Sequence, residues 1–303
     1  MRIGISVSSS HYIEDPREGA RNMIERTRTA RDAGLDSLFV GDHHVTPFPY
    51  YQNNVILARM LAEWGDKPFG ALYLLPLWNP VLLAEQVGTL ASLAEGPFIM
   101  QCGLGDARQG KALGIDMSRK VGMFVESIRL LRALWEGKSV SEDYYWNIYE
   151  AKISPVPSQH VDIWVGATVN AAMKRTAKLA DAWLANPGLT SKEAGEAISR
   201  YQLYCNEHDR QPTAIAIRKD IYIGETAEEA RSVVQPYLEK GYRGISPEAL
   251  LFGSVEEVAA QISVLRGQGY TDVIVRNIST NQQECLGCIH RLAEVKALID
   301  KQE

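Results

Sequence analysis

Asp42-His43-His44 is the tightest group of side chains that could work on a reacting molecule, placed between the apolar run Ser37-Leu-Phe-Val40 and the proline-bearing stretch Val45-Thr-Pro-Phe-Pro49. An imidazole titrates close to neutrality, so either histidine could take up and release a proton during a reaction. Metal ligation is the competing chemistry for such a run. Neighbouring residues on a strand point to opposite faces, however, so His43 and His44 would not easily share one ion, and no metal is expected.

Two further stretches suit a cofactor. Gln101-Cys-Gly-Leu-Gly-Asp106 places Gly103 and Gly105 where a planar ligand could come close to backbone, although the third glycine of a dinucleotide fingerprint is missing. Val165-Gly-Ala-Thr-Val-Asn170 runs from an apolar segment straight into a helical one. Free amides at that start, with Gly166, Ala167, Thr168, Val169 and Asn170 around them, would suit a phosphate, and Asn170 reads equally well as a helix cap. His11, His44, Trp78, Arg108, Arg276 and Asn277 fall in segment ends where a substrate pocket would lie, and each is equally explained as a surface or packing residue. Of the four cysteines, Cys285 and Cys288 form a lone C-x-x-C inside a helical pattern, which argues for neither zinc nor redox chemistry, and Cys102 reads as core.

The elements that must hold these residues alternate. Apolar runs near 3–8, 37–41, 69–75, 98–104, 162–166, 182–185, 215–223 and 272–276 are predicted strands, and amphipathic segments such as 17–33, 80–94, 119–135, 170–180, 192–208, 255–267 and 282–301 are predicted helices. Eight such units in 303 residues predict an α/β chain folded as one closed (β/α)8 TIM barrel, a single domain over 1–303, with Asp42 and its neighbours at the carboxyl ends of the strands. Two stretches break the repetition: an aromatic-rich excursion, 144–154, before the fifth strand, and an insertion, 237–252, before the eighth. Loops of that length commonly wall a substrate site.

Composition narrows the partners. With 46% apolar and 23% charged residues and a net charge of −5, the chain is neither disordered nor basic enough to favour nucleic acid or an anionic membrane, which leaves a small molecule. It enters a strand at once and has no membrane-length apolar run, so a cytoplasmic protein is expected.

The order and spacing of Ala33-Gly-Leu-Asp-Ser-Leu-Phe-Val-Gly-Asp-His-His44, Leu75-Pro-Leu-Trp-Asn-Pro-Val-Leu-Leu-Ala-Glu-Gln86, Leu90-Ala-Ser-Leu-Ala-Glu-Gly-Pro-Phe98, Gly103-Leu-Gly105, Ile163-Trp-Val-Gly166, Ala180-Asp-Ala-Trp183 and Phe252-Gly-Ser-Val-Glu-Glu-Val258 resemble the bacterial luciferase-like superfamily of flavin- and F420-dependent oxidoreductases. The resemblance covers nearly the whole chain. It implies a monooxygenase that uses reduced FMN and O2 on a small organic substrate, with an F420-dependent dehydrogenase or reductase as the alternative within the fold and a non-catalytic flavin-binding protein as the alternative outside catalysis. It also implies His43 as the acid/base or substrate-orienting residue, Ala71-Leu72 as the ring support, commonly through a non-prolyl cis bond, Gly103 and Gly105 as a wall, and Ala167 to Asn170 as the phosphate cradle. A separate flavin reductase is an implied partner, and a homodimer paired through helices beside strands two and three, with Val55 to Leu61 as the apolar face, is implied as well. Leu104 stands where luciferase carries a phosphate-binding arginine, so Arg108 or the helix start near Asn170 would have to supply that attraction.

Overall fold

The computed structural model describes residues 1–301. Eight parallel strands close into a ring: β1 (Arg2–Val7), β2 (Ser37–Val40), β3 (Phe69–Leu74), β4 (Phe98–Gly103), β7 (Asp162–Gly166), β8 (Ala182–Ala185), β9 (Ala214–Ile223) and β11 (Asp272–Asn277). Pairing of Ala182 with Ala214 and of Arg2 with Asp272 completes the circle. The predicted TIM barrel is therefore present, with strand limits within a residue or two of those read from the sequence.

Between the strands run α1 (Pro16–Asp32), α2 (Asn53–Trp64), α3 (Pro80–Leu93), α4 (Ala107–Ala112), α5 (Lys120–Trp135), α6 (Asn170–Leu179), α7 (Ser191–Glu207), α8 (Ala227–Glu239), α9 (Val255–Gly267) and α10 (Gln282–Asp300). Their starts follow local chemistry. Asp15 and Asn79 cap α1 and α3 just ahead of a proline at the first helical position, and Thr190 and Ser254 open α7 and α9 with reciprocal Glu193 and Glu257 capping boxes.

The ring has two apolar layers because strands buried on both faces alternate inward and outward. Inside it, Phe39, Ile99 and Trp164 fill space against Ala182, Ala214, Ala216 and Ile274. Gly70 is required there by close approach, since a Cβ on it would sit 1.8 Å from the Ile99 carbonyl oxygen. Outside the ring the strands pack on the helices. Ile56, Leu57, Met60 and Leu61 of α2 are buried in that layer. The face read from the sequence as a subunit contact is thus largely consumed by the chain's own core, and on Val55 to Leu61 the exposed large apolar residue is Val55, joined nearby by Leu82 of α3.

Both departures from the repeat take shape. The excursion is an antiparallel hairpin, β5 (Val140–Glu142) with β6 (Ile148–Ala151), held by Glu142 accepting the amides of Tyr144, Tyr145 and Trp146. The second insertion contains β10 (Leu251–Gly253), an extra parallel strand outside the ring that pairs with β9. No helix among the described residues is long and apolar enough to cross a membrane.

Candidate active site at the carboxyl end of the barrel

Inward-facing positions continue the interior layer toward the carboxyl ends of the strands. Two residues beyond Phe39 comes Gly41, beyond Ile99 come Gln101 and Gly103, and beyond Trp164 comes Gly166. On the other side of the ring, Arg218 and Asp220 follow Ala216, and Arg276 follows Ile274. The mouth is therefore divided into a half walled by glycine and a half walled by charge.

Asp42 organises the glycine half. Its buried carboxylate accepts the Leu74 amide at 2.8 Å and the Trp78 indole N–H at 2.9 Å, tying the end of β2 to the end of β3. Its other oxygen lies 3.1 Å from His44 Nε2, an ion-pair contact without the alignment of a hydrogen bond. The Asp42 carboxylate raises the His44 pKa against the opposing effect of burial. The His44 ring packs edge-on against Trp78 with centroids 5.4 Å apart, so both side chains belong to one bracing cluster.

His43 sits in a different field. Arg108 Nη2 approaches His43 Nε2 at 3.1 Å, and the same guanidinium donates to the Val45 carbonyl at 2.6 Å. A guanidinium can only donate, so Nε2 offers its lone pair and the neutral ring carries its proton on Nδ1. Partial burial and then the Arg108 charge lower the His43 pKa. Phe48 lies parallel to the ring at 6.4 Å and Tyr50 tilts over it at 5.8 Å. The loop itself is clamped from β4: Asp106 caps α4 and accepts the Gln109 amide, while Gln109 Oε1 accepts the His44 amide at 2.6 Å. Arg108 is thus committed to the histidine loop, away from the phosphate role considered for it.

A buried donor is unused close to the glycines. Gln101 Nε2 has no hydrogen-bond partner although the residue is buried on the interior face of β4. At Gly166 an added Cβ would meet nothing closer than the Cys102 carbonyl oxygen, 3.6 Å away, so the space beside it is open. The start of α6 is open as well: its cap residue is Val169, which offers no side-chain acceptor, and Gly166, Thr168, Val169 and Asn170 are exposed while Ala167 is buried. Asn170 is the first helical residue and not the cap. Ala71 is buried on the outer face of β3 and Leu72 is half-buried facing inward. The cis peptide among the described residues is Ser154–Pro155, so the Ala71–Leu72 bond implied as cis is trans. An orphaned amide donor, glycine walls and uncapped helix amides together fit a planar ring with carbonyl acceptors and a phosphate tail.

A cavity of about 1040 Å³ lies beyond the ends of β1 and β11, between α1 and α8, and includes His11, Arg276 and Asn277 in its lining. His11 stacks on Tyr51 at 4.7 Å and leaves Nδ1 buried without a partner. Trp78 lies instead on a separate cleft of about 300 Å³ beside the β5–β6 hairpin. Of the candidate substrate residues, His11 and Arg276 are therefore brought together, whereas His44, Trp78 and Arg108 serve the Asp42 and His43 scaffolding. Among the described residues, one cluster has metal-ligand spacing, His160, Asp162 and Asp181. It lies at the amino-terminal ends of β7 and β8, away from the mouth, and both carboxylates already accept hydrogen bonds. The thiols of Cys285 and Cys288 are buried and pushed up to about 11 and about 12, which leaves them unreactive.

The family model for luciferase-like monooxygenases matches residues 1–272. The chain belongs to the luciferase-like monooxygenase family. This luciferase-like chain is 28% identical over 170 residues to an F420-dependent glucose-6-phosphate dehydrogenase of Kineococcus radiotolerans, covering 52% of the chain and 50% of that relative. It thus spans about half the length of that curated relative. By structure it is similar to the monooxygenase RslO1 of Streptomyces bottropensis, with TM-score 0.83, 18% identity, and coverage of 98% of this chain and 99% of that one. It is also similar to the oxygenating component of 3,6-diketocamphane monooxygenase from Pseudomonas putida, solved with FMN, at TM-score 0.79 and 16% identity over 97% of each chain. These structural likenesses show the fold, and the family match shows a luciferase-like oxidoreductase.

Sequence reasoning passed over Gln101, Arg218, Asp220 and Arg243. A signal existed for the strand residues: Arg218-Lys-Asp220 interrupts an otherwise apolar strand, and charge there demands a partner or a purpose.

Proposed function

We propose that the protein is a reduced-FMN-dependent monooxygenase acting on a small organic molecule, with the cofactor ring on the glycine half of the mouth. The observation that carries this reading is the unpartnered buried Gln101 amide beside Gly103 and Gly166, within a chain of the luciferase-like family. Gln101 Nε2 would donate to a ring carbonyl, and the uncapped amides at the start of α6, with Thr168 and Asn170 beside them, would take the phosphate. When bound, the reduced cofactor supplies the electrons. The chain's own task is orientation and proton handling.

His43 carries that task. Its neutral ring can donate from Nδ1 to an oxygen of the reacting molecule and can collect a proton on Nε2 once Arg108 moves aside. Asp42, anchored by the Leu74 amide and Trp78, holds the strand end from which His43 projects.

A second reading, an F420-dependent dehydrogenase or reductase, is favoured by the F420-dependent curated relative. Under it the same residues would hold a deazaflavin ring, and O2 would have no part. Titration of the purified chain with oxidised FMN, reduced FMN and F420 decides between them. Preferential saturable binding of reduced FMN supports the monooxygenase, preferential F420 binding selects the dehydrogenase, and binding of neither rejects both. An FMN enzyme of this kind would draw on a separate flavin reductase. Pairing into a homodimer would use the exposed Val55 and Leu82.

A further inference from the structure

The charged half of the mouth is left unused by this chemistry. Asp220 is fully buried on β9 and accepts hydrogen bonds from Arg218 Nη2 at 3.0 Å, Arg243 Nη1 at 2.7 Å and the Tyr242 hydroxyl at 2.8 Å. Two guanidinium groups and a phenol therefore satisfy the one carboxylate. Arg276 is a third guanidinium in the same cluster. Its Nη2 donates to Ser8 Oγ at 3.1 Å, its Nε is buried with no partner, and among the described residues it forms no ion pair. Half-burying a guanidinium with a buried, unpartnered Nε is costly unless something anionic completes it.

The surroundings point the same way. Arg276, Arg243 and Tyr242 all line the cavity of about 1040 Å³, so the unpaired guanidinium faces open space large enough for a small molecule. Tyr242 and Arg243 come from the insertion before the last barrel strand, which thus builds one wall of the cavity. Arg26, also in the lining, spends its donors on Gln282 and on the Thr280 carbonyl, which adds charge without a carboxylate. Glu284 is the lining carboxylate, and the Ser279 hydroxyl engages it. Burial and the neighbouring Arg243 and Arg218 lower the Arg276 pKa to about 10, which still leaves it charged at neutral pH.

We infer that Arg276, with Arg243, forms an oxyanion-binding site that takes a carboxylate or phosphate group of the substrate. The planar fork of a guanidinium matches both groups, and three cations around one carboxylate leave the cluster cationic overall. The substrate is then an organic anion whose charged end rests under the insertion and whose reacting end points to the glycine half, a placement that rests on the proposed function.

Orthophosphate and acetate are titrated by calorimetry into the purified chain without cofactor, in a zwitterionic buffer, with thermal melts alongside. At least one of the two is expected to bind the wild-type chain and raise its melting temperature. Arg276→Met is expected to weaken that binding by roughly tenfold or more, the loss typical of a charge-assisted contact. The same variant should melt at or above the wild-type temperature in ion-free buffer, because a half-buried cation without an ion pair beside Arg218 and Arg243 has been removed. Arg243→Gln should weaken binding to a smaller degree. Tighter orthophosphate binding marks a phosphorylated substrate, and tighter acetate binding marks a carboxylic acid. Binding that persists unchanged in Arg276→Met, at the start of α6 for example, overturns the inference, as does failure of both ions to bind the wild-type chain. Cofactor titration of Arg276→Met keeps the two proposals apart: retained cofactor binding with lost anion binding supports this site independently, and absent cofactor binding with an Arg276-dependent anion site rejects only the flavin reading.

Discussion

Arg108 Nη2 stands 3.1 Å from His43 Nε2, which fixes the imidazole as an acceptor on that nitrogen and holds it neutral. The adjacent histidine is biased the other way, since Asp42 favours the charged form of His44. Two neighbouring residues of one type thus sit in opposite fields, the proposed acid/base His43 held neutral beside Arg108 and His44 bracing the strand ends beside Asp42.

Removing the His43 ring should slow turnover while sparing the fold. His43→Ala is expected to reduce turnover by roughly 10²- to 10⁴-fold, the range for a lost acid/base. Cofactor affinity and melting temperature should change little, because the ring is half-exposed and makes no buried hydrogen bond of its own. Cofactor reoxidation in the presence of substrate and thermal melts on the same samples check this, and unchanged turnover in folded protein would remove His43 from the mechanism.

Arg108 should set the pH range. Burial and the Arg108 charge hold the His43 pKa below 6.5, so activity that needs the neutral ring is present at neutral pH and lost as pH falls through that lowered value. In Arg108→Gln the second of these causes is gone and the pKa rises toward its ordinary value. The acid limb of the kcat/KM profile is expected to move to higher pH, and a limb that stays in place would show that another group controls it.

The bracing role of Asp42 predicts a stability loss. Asp42→Asn exchanges a carboxylate that accepts from the Leu74 amide and the Trp78 indole and stands in ion-pair contact with the His44 ring for an amide able to satisfy only part of that set. A cost of about 1–3 kcal/mol is expected by chemical denaturation, the usual penalty for a buried polar partner left unmatched.

The same contact gives His44 a pH signature. Its folded pKa lies above the unfolded value of about 6.5, so its contribution is fully present below that pH and is lost as pH rises through the raised value. Denaturation midpoints of wild type and His44→Gln should therefore converge from slightly acidic to alkaline pH. Parallel curves would show that the ring does not couple to Asp42.

Much of this molecule can be read from its sequence because strands buried on both faces are short apolar runs, and the eight of them, from Ile3 to Arg276, stand out against amphipathic helices. The Asp42 to His44 stretch was legible for the same reason, as polar residues at the end of such a run. Other features depended on pairings far apart in the chain. Arg243 meets Asp220 across 23 residues and Arg276 meets Ser8 across 268, and no local pattern announces either contact. The strand β10 pairs with one neighbour over three residues, too few for a periodic signal. The division of labour between His43 and His44 was hidden too, because it is set by Arg108, some 65 residues onward, and by the direction in which each ring turns.

The placement of the cofactor on the glycine half is tested most directly at Gly166. A Cβ added there meets nothing closer than the Cys102 carbonyl oxygen at 3.6 Å, and Gly166 is exposed, so Gly166→Leu should fold with an almost unchanged melting temperature while reaching into the space beside Gln101 and the start of α6. Equilibrium titration with reduced FMN and with F420 should show affinity for the preferred cofactor falling by roughly tenfold or more in this variant, a loss of about 1.4 kcal/mol or greater. Wild-type affinity in a folded Gly166→Leu protein would contradict the placement.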